Sequence, residues 1–281
     1  MGADGGGADG AGRGLAVVTG ASSGLGRAYA ESLAARGYRL LVAARREDRL
    51  MELADRMARR HGTQTDIVVC DLVTEEGLAA CRAAVSAAGA APEVVVLNAG
   101  FGSSGPVWRL DRRREGDIVR LNCLAVVDLA AHVLPAMVAR GHGTLVVVSS
   151  AAALQPVPFM ATYAASKAFE LSFTEAVGEE LRGTGVRAIA VCPGPTRTEF
   201  SLSAGGEGAG TSWTVPLDDP STVVRATWKG LERGRRLVTT GPVARTTAAA
   251  ARFLPRALVL RGAAATHRSP RRLKEMFRRP S

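Results

Sequence analysis

The chain of 281 residues is long enough for one large or two small domains, and its composition, 47% hydrophobic and 5% aromatic, is typical of a globular α/β protein. Its formal charge of +10 is uneven, because residues 223–281 hold 15 Lys and Arg against only Glu232 and Glu275, while the remainder is slightly acidic. This distribution argues against a nucleic-acid-binding core and indicates a separate property of the C-terminus.

The sequence predicts neither secretion nor membrane insertion. Residues 1–13 are mostly Gly, Ala and Asp and lack a basic start and an apolar centre, which predicts a disordered leader. No apolar run approaches the ~18 residues of a spanning helix. The cysteines are far apart in sequence, and neither they nor the histidines have metal-ligand spacing. A reducing, cytoplasmic setting without a metal is therefore predicted.

A glycine-rich turn follows the first predicted strand, Leu15–Thr19, and opens a helix that extends to Arg36. Glycines allow a tight turn and let a pyrophosphate approach the free N–H groups at a helix N-terminus. The order of strand, turn and helix favours a nucleotide site over an ordinary βα turn, which remains the alternative. The candidate cofactor-binding residues are Gly20, Ser22, Ser23, Gly24, Leu25 and Gly26.

The second predicted strand, Tyr38–Ala43, ends before Arg45 and Arg46. An acidic residue after this strand binds the ribose hydroxyls of NAD, whereas arginine suits the 2′-phosphate of NADP. We therefore expect NADP(H), with Arg45 as a ligand. The alternative is that both arginines only begin the charged face of the helix predicted over Glu47–His61.

The third and fourth predicted strands, Thr65–Cys70 and Glu93–Leu97, each deliver candidate residues at their carboxyl ends. Asp71 could accept a hydrogen bond from an adenine amino group, or could cap the helix that begins near Thr74. The small residues Asn98, Ala99 and Gly100 follow the fourth strand, where the chain should pass close to a bound nucleotide.

A long helix is predicted over Arg112–Arg140, with Pro135 as a kink or an end. Asn122 lies among apolar residues of this helix, and a buried asparagine is costly unless it is hydrogen-bonded. It could bond a neighbouring backbone, or it could hold a water that relays protons.

The fifth strand, Leu145–Val148, leads to Ser150, at the edge of the sheet where α/β proteins place their chemistry. Tyr163 and Lys167 are four residues apart, so they share one face of the helix predicted to end near Arg182. A nearby ammonium favours the phenolate and lowers the pKa of a tyrosine. The pattern is weak alone, because such pairs are frequent on helix surfaces, but the surrounding nucleotide fold strengthens it.

A sixth strand, Val186–Cys192, is followed by Pro193, Gly194, Thr196 and Thr198, then by a stretch rich in Gly, Ser and Ala, Ser201–Thr211, typical of a mobile lid. A helix over Thr222–Gly234 and a strand over Arg236–Thr240 complete the pattern. The alternation of strands and helices predicts a parallel, doubly wound sheet.

The segment from Gly241 to Ser281 alternates Arg with Ala and Leu. It could form a basic amphipathic helix that contacts an anionic membrane peripherally, pack on a neighbouring subunit, or be a solvated arginine-rich end.

Over residues 14–240 the chain resembles the NADP-preferring type of the short-chain dehydrogenase/reductase family. The resemblance is carried by the glycine motif Thr19–Gly26, Asn98-Ala99-Gly100, Asn122, Ser150, Tyr163, Lys167, Pro193-Gly194 and Thr198. It implies one Rossmann-like domain, a three-layer α/β/α arrangement with about seven strands, between a leader, 1–13, and a basic extension, 241–281. The usual Asn-Asn-Ala-Gly reads Leu97-Asn98-Ala99-Gly100, and the extension is longer than a compact tetramer needs.

The resemblance also implies roles for the matched residues. Tyr163 is expected to donate a proton when a ketone is reduced and to accept one in the reverse reaction. Lys167 is expected to hold the nicotinamide ribose and to lower the pKa of Tyr163. Ser150 is expected to bond the substrate oxygen, and Asn122 to steady a water leading to Lys167. Pro193, Gly194, Thr196 and Thr198 are expected to bind the cofactor, and Thr198 and the backbone after Pro193 to position the nicotinamide.

The sequence thus predicts an NADP(H)-dependent oxidoreductase acting on an apolar carbonyl or alcohol, assembled as a homodimer or homotetramer. The alternative is a regulatory or scaffold protein that binds NADPH with little turnover. An intact set of Asn122, Ser150, Tyr163 and Lys167 favours the enzyme.

Overall fold

A computed structural model of the chain describes residues 13–199 and 217–267, with the side chains of residues 252, 266 and 267 left aside. All of the predicted leader except Arg13 lies outside the described residues, and so does the predicted lid Ser201–Thr211.

Seven parallel strands form one sheet, in the order β3-β2-β1-β4-β5-β6-β7. The strands are β1 (Arg13–Thr19), β2 (Tyr38–Ala44), β3 (Thr65–Val69), β4 (Val94–Leu97), β5 (Gly143–Val148), β6 (Val186–Pro193) and β7 (Leu237–Thr240). The strand order reverses direction between β1 and β4, and ligands of such sheets bind at the carboxyl ends of the strands beside this point. The predicted doubly wound parallel sheet is confirmed.

Helices alternate with the strands and cover both faces of the sheet. They are α1 (Gly24–Ala34), α2 (Glu47–His61), α3 (Glu75–Ala87), α4 (Arg112–Val119), α5 (Ala125–Arg140), α6 (Ala161–Glu180), α7 (Pro220–Glu232), α8 (Gly241–Phe253) and α9 (Arg256–His267). A π-helical turn, Arg120–Leu124, joins α4 to α5, and a 3₁₀ turn, Ala151–Leu154, follows β5.

Two apolar clusters, one on each face of the sheet, make up the core. Residues of α3, α5 and α6 pack on one face, and residues of α1, α2 and α7 pack on the other. Because both faces are covered, the strands are almost wholly apolar, as in the Val94–Leu97 run. This burial gives the three-layer α/β/α arrangement and holds the strand ends in fixed relation.

The long helix differs from its prediction in two respects. Pro135 does not end the helix, because α5 continues to Arg140; the predicted kink at Pro135 stays a prediction. A window of 18 residues within Arg112–Arg140 has a mean hydropathy of 1.8, so this helix is long and apolar enough to cross a membrane by length and composition, contrary to the expectation from uninterrupted runs. In the fold, Leu129, Val133 and Met137 of this helix pack under the sheet.

The segment after β7 begins as helix. α8 contacts the 3₁₀ turn Ala151–Leu154 as well as β6 and β7, and Ala244 is fully buried there. Beyond it, Phe253 is 77% exposed, and Leu254 and Leu258 are about half exposed. The first part of the segment therefore packs against the sheet edge, while the junction of α8 and α9 presents apolar side chains to solvent.

Candidate active site

The candidate site lies at the carboxyl edge of the sheet, where four neighbouring strands end. β1 delivers Gly20, β4 delivers Asn98, β5 leads to Ser150 and β6 ends at Pro193. Adjacency of these strands in the sheet brings together residues that are up to about 170 positions apart in sequence.

The glycine turn is shaped so that side chains do not fit. Gly20 has a φ of +66°, and a Cβ built on Gly26 lies 2.2 Å from the carbonyl oxygen of Gly20. A Cβ on Gly24, whose φ is +55°, lies 3.0 Å from a methyl carbon of Thr198. These close approaches, together with the N-terminus of α1, form a cradle that fits the pyrophosphate of a dinucleotide.

Asn98 fastens the end of β4 to the end of β1. Its side-chain amide donates to the carbonyl oxygens of Thr19, at 3.1 Å, and Gly20, at 3.3 Å. The Thr19 hydroxyl accepts from the N–H groups of Asn98 and Ala99 at 3.0 and 3.1 Å. Asn98 therefore shapes the glycine turn, and Ala99 is held beside it.

The arginine that reaches the glycine turn is Arg46. Its guanidinium donates to the hydroxyls of Ser22, at 3.0 Å, and Ser23, at 2.8 Å, and to the carboxylate of Glu199, at 2.9 Å. Arg45, the predicted ligand, is 69% exposed and lies 3.7 Å from the Asp71 carboxylate. Arg46 therefore does more than begin the charged face of α2.

Asp71 does not cap α3, contrary to one of the two predicted roles. Its carboxylate accepts from the N–H of Val73, 3.1 Å away, within the turn before the helix. Thr74 is the N-cap, with its hydroxyl accepting from Gly77 N–H at 3.0 Å. An N-cap side chain bonds the N–H two or three residues on, and the helix begins too late for Asp71 to do so.

Asn122 is fully buried in the π-helical turn and bonds protein groups. Its amide nitrogen donates to the carbonyl oxygen of Phe101, at 3.1 Å, and to the hydroxyl of Ser166, at 2.9 Å. Its oxygen accepts from Phe101 N–H at 3.4 Å. A Cβ on Gly100 would lie 3.0 Å from that oxygen and 3.2 Å from the Lys167 ammonium, so the absence of a side chain at Gly100 leaves room between them.

The side chains of Ser150 and Tyr163 contact each other in the site. The Ser150 hydroxyl accepts from Ala152 N–H at 3.1 Å, which starts the 3₁₀ turn, and it also hydrogen-bonds the Tyr163 side chain. Burial raises the pKa of Tyr163, which is only 6% exposed; Lys167 and Ser150 oppose this effect without cancelling it. The predicted lowering by Lys167 is thus real but is outweighed by desolvation.

Lys167 lies beneath the tyrosine ring and is almost completely buried. Its ammonium is 5.9 Å from the ring centroid of Tyr163 and donates to the Val148 carbonyl oxygen at 3.0 Å. It also pairs with the carboxylate of Glu170, 2.8 Å away. Burial works to lower the pKa of Lys167, but the charge of Glu170 reverses the direction, and the pKa is raised.

The segment after β6 faces the glycine turn. Gly194 N–H donates to Thr240 of β7 at 3.1 Å, and the Thr196 hydroxyl donates to the Gly194 carbonyl oxygen at 2.9 Å. Thr198, next to Gly24, is placed to contact whatever lies over the turn. Pro193 ends β6 in register with Thr240.

Three polar residues of this region, Ser166, Glu170 and Glu199, were not among the predicted site residues, and Thr19 was predicted only as the start of the glycine motif. The signal for Ser166 and Glu170 was their spacing from Tyr163 and Lys167 on one helix, at positions i+3. Glu199 is brought to Arg46 by the path of the chain after β6. Across residues 13–199 and 217–267, no three His, Cys, Asp or Glu side chains come close enough to hold a metal ion.

Comparison with known proteins places these features in one family. The family model described as short chain dehydrogenase matches residues 14–205. An uncharacterized oxidoreductase from Myxococcus xanthus is 36% identical over 78% of this chain and 84% of its own. A very-long-chain 3-oxoacyl-CoA reductase from Bos taurus is 30% identical over 76% of this chain and 67% of its own.

Solved structures of this family have a fold similar to that of this chain. A short-chain dehydrogenase from Sphingobium yanoikuyae, in complex with NADPH, has a TM-score of 0.77 and 28% identity, and the match covers 96% of this chain and 97% of that one. Similar structures include complexes with NADPH and with NAD, which supports a nicotinamide dinucleotide in the cradle described above.

Proposed function

Because the chain belongs to the short-chain dehydrogenase family, we propose that this oxidoreductase uses NADP(H) to interconvert a ketone or aldehyde and an alcohol. The observation that carries the proposal is the contact of Tyr163 with Ser150 and Lys167, beside a glycine turn suited to a dinucleotide.

Each polar side chain of the site has a separate role in the proposed reaction. A bound nicotinamide supplies or accepts the hydride. Tyr163, whose raised pKa keeps it a phenol at neutral pH, donates a proton to the carbonyl oxygen in reduction. The Ser150 hydroxyl bonds the same oxygen and stabilises its developing charge. Lys167 would hold the ribose hydroxyls of the cofactor, and Asn122 fixes the backbone of Phe101 beside it.

Preference for NADP over NAD is supported by cationic side chains at the glycine turn. Arg46 lies on Ser22 and Ser23, and Arg45 is mostly exposed nearby, so both guanidinium groups can meet a 2′-phosphate. Arginine matches phosphate geometry through paired N–H donors. Asp71, on the rim, remains the candidate for an adenine amino group.

For the substrate, we propose a lipophilic carbonyl compound. The residues expected beside the site, Gly100–Ser104 and Gln155–Met160, are mostly small or apolar and lack charges. The name of the bovine relative, a 3-oxoacyl-CoA reductase, points to the same kind of compound.

The test is NADPH oxidation over a panel of ketones and aldehydes, with NADH and Tyr163→Phe in parallel. General acid–base catalysis contributes roughly a hundredfold to ten-thousandfold, so Tyr163→Phe should lose about that factor in kcat. Tyr38→Phe, a change of the same size on β2, serves as the control. Full turnover by Tyr163→Phe with a good substrate contradicts the mechanism.

The alternative is an NADPH-binding regulatory or scaffold protein. It predicts tight NADPH binding without turnover across the whole panel. The buried, hydrogen-bonded arrangement of Asn122, Tyr163 and Lys167 favours the enzyme, because a scaffold does not need a lysine beneath a tyrosine.

We also propose a cytoplasmic homodimer or homotetramer with peripheral membrane contact. Free cysteines support a reducing setting. The side chains of Leu124, 54% exposed, and Phe169, 40% exposed, support self-association.

The exposed side chains of Phe253 and Leu258, near Arg256, support membrane contact through residues 241–281. Sedimentation equilibrium measures the oligomeric state. Co-sedimentation with anionic liposomes, with and without residues 241–281, measures the membrane contact. Equal binding by both proteins would contradict a role of these residues in that contact.

A further inference from the structure

Glu170 is a buried acid that the proposed reaction does not yet use. It lies on α6 one turn beyond Lys167 and is only 1% exposed. Its two carboxylate oxygens lie 2.8 and 2.9 Å from the Lys167 ammonium. A carboxylate withdrawn from water in this way is costly and is normally held by a specific partner, here the lysine of the site.

The surroundings of this pair contain few other charges. On α6 the ionisable neighbours are Lys167 and Tyr163; from the packed elements they are Cys123 of the π-helical turn and Cys192 of β6. Burial raises the pKa of Cys123 to about 11 and that of Cys192 to about 12, so both thiols are neutral at physiological pH. The local field at Tyr163 is therefore set by Lys167 and Glu170.

We infer that Glu170 is a positioning residue for this site: it holds the Lys167 ammonium, offsets part of its charge, and thereby sets the balance between the phenol and phenolate forms of Tyr163. The inference rests on the proposed function for its catalytic meaning. Its physical basis is the ion pair between the Lys167 ammonium and the Glu170 carboxylate, which lie within hydrogen-bonding distance in a buried region where charge interactions are strong.

The two charges act on Tyr163 in opposite directions. Lys167 lowers the pKa of Tyr163, and Glu170 raises it. With Glu170 ionised the pair is nearly neutral, and Tyr163 remains a phenol, the form that donates a proton in carbonyl reduction. When Glu170 binds a proton, the charge of Lys167 is no longer offset, and the pKa of Tyr163 decreases, which brings the phenolate, the form that accepts a proton in alcohol oxidation, closer to the working pH range.

The test measures tyrosinate absorbance against pH in the protein without cofactor, so that no turnover is needed. The chain has three tyrosines, and Tyr163→Phe provides the blank that isolates Tyr163 from the other two. In Glu170→Gln we expect the Tyr163 midpoint to fall by about one pH unit, a tenfold change in the ratio of phenolate to phenol. An unchanged midpoint would overturn the inference.

Two further variants keep the result decisive. Glu175→Gln removes the same charge from an exposed position of α6 and should leave the midpoint unchanged. Glu170→Asp withdraws the carboxylate from the ammonium and should move the midpoint down by a smaller amount. If Glu170→Gln does not fold, Glu170→Asp alone decides, and an unchanged midpoint in it counts against the inference.

The same variants then report on catalysis. In the pH profile of kcat/KM for alcohol oxidation, the acid limb of Glu170→Gln should move to lower pH by the amount seen in the titration, whereas a merely structural role lowers the profile without moving it. Turnover that survives Tyr163→Phe would remove the proposed function but leave the titration result standing, so the two failures are distinguishable.

Discussion

Arg46 and Glu199 are joined by an ion pair of 2.9 Å beside the glycine turn. Arg46 belongs to the start of α2, and Glu199 follows β6, so the pair links two segments that border the cradle. The Arg46 guanidinium also donates to the hydroxyls of the turn, at Ser22 and Ser23, and Arg49 lies 3.4 Å from the same carboxylate. Glu199 thus occupies donors that a 2′-phosphate would also use.

Glu199→Gln should strengthen NADPH binding. The carboxylate competes with phosphate for Arg46, and its removal leaves the guanidinium free; exposed ion pairs of this kind are worth up to about 1 kcal/mol, so the Kd for NADPH should fall about twofold to fivefold. The Kd for NADH, which lacks the phosphate, should not change. Fluorescence titration with both cofactors measures this, and equal gains for both would mean that Glu199 acts elsewhere.

Asn98→Ala should destabilise the fold and weaken cofactor binding. It removes the side-chain donor to the carbonyl oxygens of Thr19, which is buried, and Gly20, which is half-buried. A buried carbonyl left without its partner costs about 1–3 kcal/mol. Urea unfolding measures the loss. Gln64→Ala, at an exposed position, is the control and should stay within about 0.5 kcal/mol of the parent. Similar stability of both variants would contradict the role given to Asn98.

Gly26→Ala should distort the glycine turn. Its Cβ would lie 2.2 Å from the Gly20 carbonyl oxygen, a backbone atom that cannot rotate away. Overpacking of this kind costs about 1–3 kcal/mol, and cofactor affinity should fall with it. Gly262→Ala, in α9 with no atom within 4 Å of the added carbon, is the matched change and should be neutral or stabilising, because alanine favours helix. Thermal unfolding and NADPH titration separate the two variants.

The stability of the protein should depend on pH through Glu170. Burial raises the pKa of this carboxyl from 4.5 to about 7, so between these values the folded state binds a proton that the unfolded state has released. The free energy of unfolding therefore decreases as pH rises through this window, by on the order of 3 kcal/mol.

Glu170→Gln cannot titrate and should lack that component. Urea unfolding of both proteins at several pH values within the window measures the difference between their slopes. Parallel pH profiles for the parent and Glu170→Gln would show that the carboxyl pKa is not raised in the fold. Lys167 does not contribute here, because its raised pKa affects stability only above its ordinary value of 10.5.

Several features could be read from the sequence because they depend on local order. The apolar runs at Val94–Leu97 and Leu145–Val148, bounded by turns and helices, require a covered parallel sheet, and the strand ends then place Asn98 and Ser150 at one edge. The helix over Glu47–His61 has the predicted bounds, because its charged face and apolar positions follow the helical period. The Tyr163 and Lys167 spacing likewise follows from helix geometry alone.

Other features were decided only by tertiary structure. Arg45 and Arg46 are neighbours in sequence, but the backbone at the start of α2 directs Arg46 to the glycine turn and Arg45 toward Asp71. Lys167 and Glu170 are spaced for a pair on any helix, yet the packing of α6 on the sheet is what buries them and raises the pKa of the acid. Local order in the chain fixes which groups share a helix or strand and which edge of the sheet they approach. The orientation and the burial of a side chain arise from contacts between segments that are distant in sequence. Those contacts decide which side chains pair with one another and how far the pKa of a buried acid is raised.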